Sequence, residues 1–343
     1  MRHLVILLFS TLCLAQTISP PVVATWPGDR TAAISLTFDD AMATHLKNVG
    51  PILKKHGMHG TFFVTTGNEW RRHVADWNQL ASEGNEIGGH TVHHPCLHTN
   101  IRQHSQDYTP AMMEAEVRDS AQAIQVEIGS QRGLTFAYPC GNMSFGPPAD
   151  QTVNAALYQR YVSEHYFSAR TFGLVSSVAW DELSILTVPD LGFTEGRDFV
   201  GLLDMAAPAL HGHHWGIFTF HGVGGQYLSV TTDALDELAG YLERHPEIWT
   251  ATFGDGVRYI QENRALRIHA AKSGEREARF DLTWPLNPKI YDLPLTLKWT
   301  LPEGWSSAQA YVADKEADVR QAGGVLLIDV PPGAASVRFI AKP

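Results

Sequence analysis

The chain has 343 residues, 44% of them hydrophobic, and a formal net charge of −10 at pH 7. That length supports a full hydrophobic core in one large domain or two. The acidic balance argues against sequence-independent binding to phosphates, so nucleic acid is not an expected partner.

Residues 1–15 read as a secretory signal peptide. Arg2 and His3 give a basic start, Leu4 to Phe9 an apolar core, and Cys13-Leu14-Ala15 a small-x-small cleavage site before Gln16. The apolar stretch is too short to span a bilayer, so the expected location is secreted or periplasmic, with no membrane span after removal. Cys96 and Cys140 then remain. Export permits a disulfide between them, and two free buried thiols are the other reading. Metal ligation by either is disfavoured, because no Cys-x-x-Cys pair exists.

From residue 31 to 260 the pattern alternates strand and helix. A strand is predicted over 33–38, a helix over 46–56 ended by Gly57, and a strand over 61–64. A short helix over 77–82 stops at Gly84, and Glu86-Ile87 leads into a histidine-rich segment. A long amphipathic helix covers 111–128 and closes at Gly129, followed by a strand over 134–138. Residues 143–210 give only weak strands near 174–178 and 186–188. A strand over 216–220 and helices over 233–243 and 253–263 complete the series. Alternation of this kind implies a parallel sheet, as a barrel or a doubly wound layer.

Past about residue 268 the texture changes to short alternating runs, 278–282, 295–299 and 325–330, divided by Pro and Gly turns. This reads as a small all-β, sandwich-like domain over 269–343, with either a packing role or an accessory carbohydrate-binding role.

The most informative string is Thr37-Phe38-Asp39-Asp40, which ends the first alternating strand. Two adjacent carboxylates there repel each other and are costly to desolvate. A cation removes the conflict, holding one as a ligand and leaving the other as a base. The segment His90-Thr91-Val92-His93-His94 supplies further ligands. On a helical turn His90 and His94 project to one side, and His93 points elsewhere. Asp40, His90 and His94 together suit one divalent ion, zinc first, with cobalt or another ion admissible.

With these two segments the chain resembles the polysaccharide deacetylase family, the NodB-homology or carbohydrate esterase 4 group. Tyr138-Pro139-Cys140-Gly141 matches its third motif in part, and Phe220-His221-Gly222 resembles the fifth. The resemblance implies a distorted (β/α) barrel over residues 16–268. It implies Asp40, His90 and His94 as metal ligands, Asp39 as general base and His221 as proton donor to the leaving amine. The backbone N–H of Cys140 would face the oxyanion, with Tyr138 in the same pocket. Two departures stand out: Ala137 replaces the arginine that pairs with the catalytic carboxylate, and Cys140 replaces an aromatic. Loss of that cation should raise the pKa of Asp39 unless another basic residue substitutes. Trp180-Asp181 is the candidate for the fourth motif.

The resulting expectation is an exported metal-dependent hydrolase that removes N-acetyl groups from chitin-like or peptidoglycan-like polysaccharides or oligosaccharides. An O-acetyl ester hydrolase acting on xylan-type glycans and a silent glycan-binding protein are the alternatives. Trp70, Trp77, Tyr138, Trp215 and Tyr227 are candidates to stack on sugar rings, with one or two of them expected to do so. Thr91 either orients its loop or fills space. The dense segment His211-Gly212-His213-His214 reads as a solvated loop rather than a second metal site. No Gly-x-Ser-x-Gly elbow and no His-Glu-x-x-His pair occurs, which argues against serine esterases and common zinc proteases.

Overall fold

A computed structural model describes residues 18–97, 104–129, 131–173 and 183–342. The predicted signal peptide, the strand expected over 174–178 and Trp180-Asp181 lie outside the described residues.

The chain opens with β1 (Val22–Val23) and β2 (Ala32–Asp39), then α1 (Gly50–Lys55), β3 (Thr61–Val64), α2 (Asn68–Arg72), α3 (Val74–Ser82) and β4 (Glu86–Gly89). It continues through α4 (Pro110–Ile128), β5 (Thr135–Ala137), α5 (Gln151–His165), β6 (Ser168–Arg170), α6 (Phe199–Gly212) and β7 (Trp215–Phe220). Next come α7 (Thr232–Arg244), β8 (Ile248–Thr250) and α8 (Phe253–Ala265). Strands β2 to β8 form one parallel sheet ordered β6-β5-β4-β3-β2-β7, with β8 also paired to β2. This half-barrel matches the distorted (β/α) barrel that the resemblance implies.

Strand alternation sorts the side chains into two cores. Ile34, Leu36 and Phe38 of β2 join Phe62, Phe136 and Phe218 in a core shared with the outer helices. Ala33, Phe63, Ala137, Trp215 and Ile217 point to the other, concave face. There they meet Phe253, Val257 and Ile260 of α8, which fills the hollow of the sheet. A half-buried carboxylate anchors the start of that helix. Glu86 accepts hydrogen bonds from Thr61, Thr135 and the Gly254 N–H, where a helix N-terminus favours an anion.

The remaining strands are β9 (Arg267–Ser273), β10 (Glu277–Thr283), β11 (Leu295–Thr300), β12 (Ala308–Val312), β13 (Lys315–Ala317), β14 (Arg320–Ala322), β15 (Val325–Val330) and β16 (Ser336–Ala341). They make two antiparallel sheets, β13-β12-β16-β10-β9 and β1-β11-β15-β14. The concave core runs on without a break into Phe280, Leu297, Trp299 and Phe339 of this all-β region. The N-terminal segment belongs to it as well: Val22 pairs with Lys298, and the Tyr259 hydroxyl donates to the Ala24 carbonyl.

Some elements differ from the sequence expectation. The helix expected over 46–56 is a π-helical turn, His45–Val49, running into α1. Helices α5 and α6 and strand β6 were not anticipated. In α5 the buried residues Asn154, Tyr158, Tyr161 and Val162 mix polar and apolar, so no clean stripe forms. Helix α6 is apolar on most sides and carries Pro208.

Gly256 on α8 lies against the Trp215 ring, and a Cβ there would stand 2.4 Å from a ring carbon. Alanine in a helix interior normally stabilises by up to about 1 kcal/mol over glycine, whereas overpacking a core costs about 1–3 kcal/mol. The clash should win. Gly256→Ala should lower the melting temperature in calorimetry, and an unchanged or raised value would refute this packing.

Candidate active site

Asp39 is the last residue of β2, and by alternation its side chain faces the concave side. Asp40 follows with φ 78°, a left-handed turn that brings its carboxylate to the same place. Both stand at the C-terminal edge of the parallel strands, the edge where sites of such sheets are built.

The histidine loop arrives from β4. It is not the helical turn expected from the spacing. Residues 90–95 form an irregular loop in which Thr91 (φ 65°) and His94 (φ 58°) take left-handed backbone. The Thr91 hydroxyl donates to the His90 carbonyl and accepts from the His94 N–H, so it orients the loop rather than filling space. Glu116 on α4 accepts hydrogen bonds from the Val92 and His93 N–H groups and from the His93 ring. His93 is thereby turned away, and His90 and His94 converge, their ring centroids 4.8 Å apart.

His90 Nδ1 donates to the Ala137 carbonyl at 2.7 Å, which leaves Nε2 as the free lone pair. That Nε2 lies 3.5 Å from Asp40 Oδ1, and His94 Nε2 lies 3.3 Å from the same oxygen. Asp40 Oδ1 is buried with no hydrogen-bond partner. The edge of a tetrahedron with bonds of about 2.1 Å is about 3.4 Å, so these separations fit three ligands around one ion. Asp40, His90 and His94 are compatible with a divalent metal.

Asp39 stands beside this group, with Oδ2 3.9 Å from His90 Nε2. The cation missing at position 137 is restored by Arg170. Its guanidinium donates to Asp39 Oδ2, to Asp190 at 2.8 Å and to the Thr219 hydroxyl at 2.6 Å. Ala137 and Arg170 are register partners on β5 and β6, so the arginine has moved to the neighbouring strand on the same face. Asp190 also accepts from Thr219 and from the Gly173 and Gly192 N–H groups. The sequence signal was an arginine closing the strand Ser168–Arg170, followed by an aspartate in a stretch that could not be parsed.

Burial is the largest single influence and would push the Asp39 carboxyl up, but Arg170, together with His90 and His221, outweighs it and holds the pKa below the ordinary value. Asp40 is likewise pushed up by burial and pulled further down by His90 and His94. Burial opposes charge on His90, yet Asp39 and Asp40 raise its pKa. His94 is lowered to about 4 by burial and by the neighbouring His90.

His221 follows β7, its Nε2 3.9 Å from Asp40 Oδ2. Its carbonyl accepts from His45 Nε2, a buried imidazole whose pKa falls to about 4 through burial. Cys140 lies in a turn with φ 52° and is disulfide-bonded to Cys96, so the disulfide reading holds. The bond ties this turn to the histidine loop. A cleft of about 550 Å³ opens over Asp39, Asp40, His94, Cys140, His221 and Tyr227.

Of the five aromatic candidates, only Tyr227 is exposed. Trp70, Trp77 and Trp215 are core residues. The Tyr138 ring is buried on the helix side, perpendicular to Tyr158, although the residue borders the cleft. The segment 211–214 is not all loop as expected: His211 and Gly212 close α6, and His213 caps it and bonds the Thr31 carbonyl. Among the described residues no metal-capable group forms there.

Residues 28–158 match the family described as polysaccharide deacetylase. The peptidoglycan-N-acetylmuramic acid deacetylase PdaA of Bacillus subtilis (strain 168) is 31% identical over 106 residues, which covers 31% of this chain and 40% of that protein. A gellan lyase from Bacillus sp is 26% identical over 360 aligned residues, 93% of this chain and 13% of that protein. The chain thus spans well under half the length of either relative. A crystal structure from Mycobacterium smegmatis, of a protein assigned to the polysaccharide deacetylases, superposes with a TM-score of 0.50 at 15% identity. It covers 72% of this chain and 96% of that one, and shares the fold.

Two outcomes are expected for this site. Arg170→Gln should raise the Asp39 pKa, moving the acidic limb of kcat/KM to higher pH by about a unit or more. Adding Ala137→Arg should return part of that shift; an acidic limb that stays in place in Arg170→Gln would refute the pairing. The disulfide closes 44 residues of sequence separation. Loop-closure entropy gives about 4 kcal/mol for such a span, so the Cys96→Ala/Cys140→Ala double variant should lose up to that much in denaturant unfolding.

Proposed function

We propose that the chain is a metal-dependent hydrolase that removes N-acetyl groups from the amino sugars of a chitin-like or peptidoglycan-like polysaccharide. One observation carries the reading. Asp40, His90 and His94 converge on an orphaned carboxylate oxygen, while Asp39 beside them is held by Arg170 and stays out of that group. The names of the relatives, PdaA and a Colletotrichum lindemuthianum chitin deacetylase 34% identical over 86 residues, support the substrate class.

Asp40, His90 and His94 would hold the ion, and two nitrogens with one oxygen suit zinc. When bound, the ion supplies Lewis acidity, which acidifies water and polarises an acetyl carbonyl. Asp39, kept ionised by Arg170, takes the proton of the attacking water. The Cys140 N–H would stabilise the carbonyl oxygen that gains charge. His221 gives a proton to the leaving nitrogen as the C–N bond breaks, and acetate and a free amine are released. Export is part of the proposal. The Cys96–Cys140 bond favours an oxidising compartment, which agrees with the expected signal peptide.

An acetate-release screen over acetylated glycans, with metal-stripped and zinc-restored protein, tests this. Stripping should remove activity and zinc should return it. Asp39→Asn should lower turnover by at least about a hundredfold with metal content unchanged, and His94→Ala should lower metal content. Full activity in the stripped protein would overturn the metal role. Release from acetylated xylan but not from N-acetylglucosamine oligomers would move the assignment to the O-acetyl ester.

A further inference from the structure

Two large apolar rings at the mouth of the cleft are left in water. Phe193 is 56% exposed and Tyr227 66% exposed, and both border the same cleft as Asp40 and His94. An exposed apolar surface forgoes the burial that stabilises a fold, and where it flanks a site it marks a place for a ligand.

Neither ring sits on loose chain. Phe193 bridges to Thr219 through its backbone, and its ring packs on Phe172 with centroids 4.4 Å apart. Phe172 in turn presses on the turn of Cys140, since a Cβ on Gly141 would lie 2.2 Å from the Phe172 Cβ. Tyr227 is lifted by a tight loop. Gln226 and Leu228, on either side of it, take φ of 69° and 47°. The Tyr227 carbonyl accepts the Gly222 N–H at 2.9 Å, and the Gln226 side chain accepts the Thr44 N–H at 2.9 Å. The Tyr227 ring stands perpendicular to His221, 6.2 Å between centroids. One wall therefore adjoins the Cys140 turn, and the other adjoins His221.

We propose that Phe193, backed by Phe172, and Tyr227 form a two-walled subsite that takes a glycan chain of at least two sugar rings, each wall packing on the apolar C–H face of a ring. This rests on the deacetylase reading of the same cleft. A cleft of about 550 Å³ is of the size that holds a small ligand, with polar groups fixing the reacting bond and aromatic walls supplying contact area. The substrate class is then an oligomer or polymer rather than a free acetylated monosaccharide.

The test uses the zinc-loaded full chain, N-acetylglucosamine oligomers of increasing length, and an aryl acetate too small to reach either wall. The wild type should show kcat/KM rising by at least about tenfold from monomer to tetramer. Phe193→Ala and Tyr227→Ala should each raise the tetramer KM by about tenfold, a loss of the size expected for one packed ring, and by far more than the aryl acetate KM. Tyr227→Phe should keep the tetramer KM, because the wall needs the ring and not the hydroxyl. Unchanged tetramer KM in both alanine variants overturns the proposal, as does an equal loss on the aryl acetate, which would mean a merely structural role. If the wild type cleaves the aryl acetate but no acetylated glycan, the deacetylase reading fails. Calorimetric binding of the tetramer to Asp39→Asn protein then decides the walls alone: weaker binding on adding Phe193→Ala supports them, and equal binding overturns them.

Discussion

Two neighbouring carboxylates end a buried strand, and the surrounding architecture is arranged to make both charges tolerable. Asp39 is answered from the sheet by Arg170, itself held by Asp190 and Thr219. Asp40 is answered from the histidine loop, where two imidazole nitrogens face its unpartnered oxygen. Removing one partner from a buried ion pair costs about 3–5 kcal/mol, because the other charge is left without compensation. Two acidic side chains adjacent in sequence thus receive different environments. One environment keeps a carboxylate charged, and the other leaves room for an ion.

The elements of this device were unequally legible in the sequence. Asp39, Asp40, His90 and His94 stood out because residue type and strand context pointed to one chemistry. The route by which the histidines meet did not follow from spacing. A separation of four suggested a helical turn, whereas the loop uses left-handed backbone at Thr91 and His94 and a carboxylate from α4 to hold it. Arg170 was not assigned from the sequence, whose one trace of it is an arginine followed twenty residues later by Asp190. Nothing in the chain links it to Ala137 except that β5 and β6 pair in register, and that pairing is a property of the sheet. Similarly, the strand alternation announced an all-β region past residue 268. Only the fold shows that Val22–Val23 joins it and that its core is continuous with the concave face of the parallel sheet.

That continuity bears on the site. The hollow of a half-barrel must be filled, and here α8 fills it with Phe253, Val257 and Ile260 while the antiparallel sheets cover α8 in turn. Phe63 shows the connection: its ring meets Phe253 on α8 at 5.6 Å and the Arg170 guanidinium at 5.2 Å. Packing of α8 therefore reaches the cation that holds Asp39 through two contacts.

The strands place Asp39, Arg170 and Thr219, but His94, Cys140, His221 and Tyr227 lie on loops, which move unless tied. Each of these loops is tied by a different bond. Glu116 holds the histidine loop, the Cys96–Cys140 disulfide joins that loop to the Cys140 turn, His45 holds the His221 carbonyl, and Gln226 anchors the loop of Tyr227 to Thr44. The left-handed residues Thr91, His94, Cys140, Gln226 and Leu228 sit in loops that these ties over-determine. Strain of this kind is useful where dipoles and charges must already point at a developing charge before substrate arrives. The ties converge on the concave edge, and the two rings left in water stand there too. Rigidity and exposure occur in the same few residues because an open site that must not rearrange needs both.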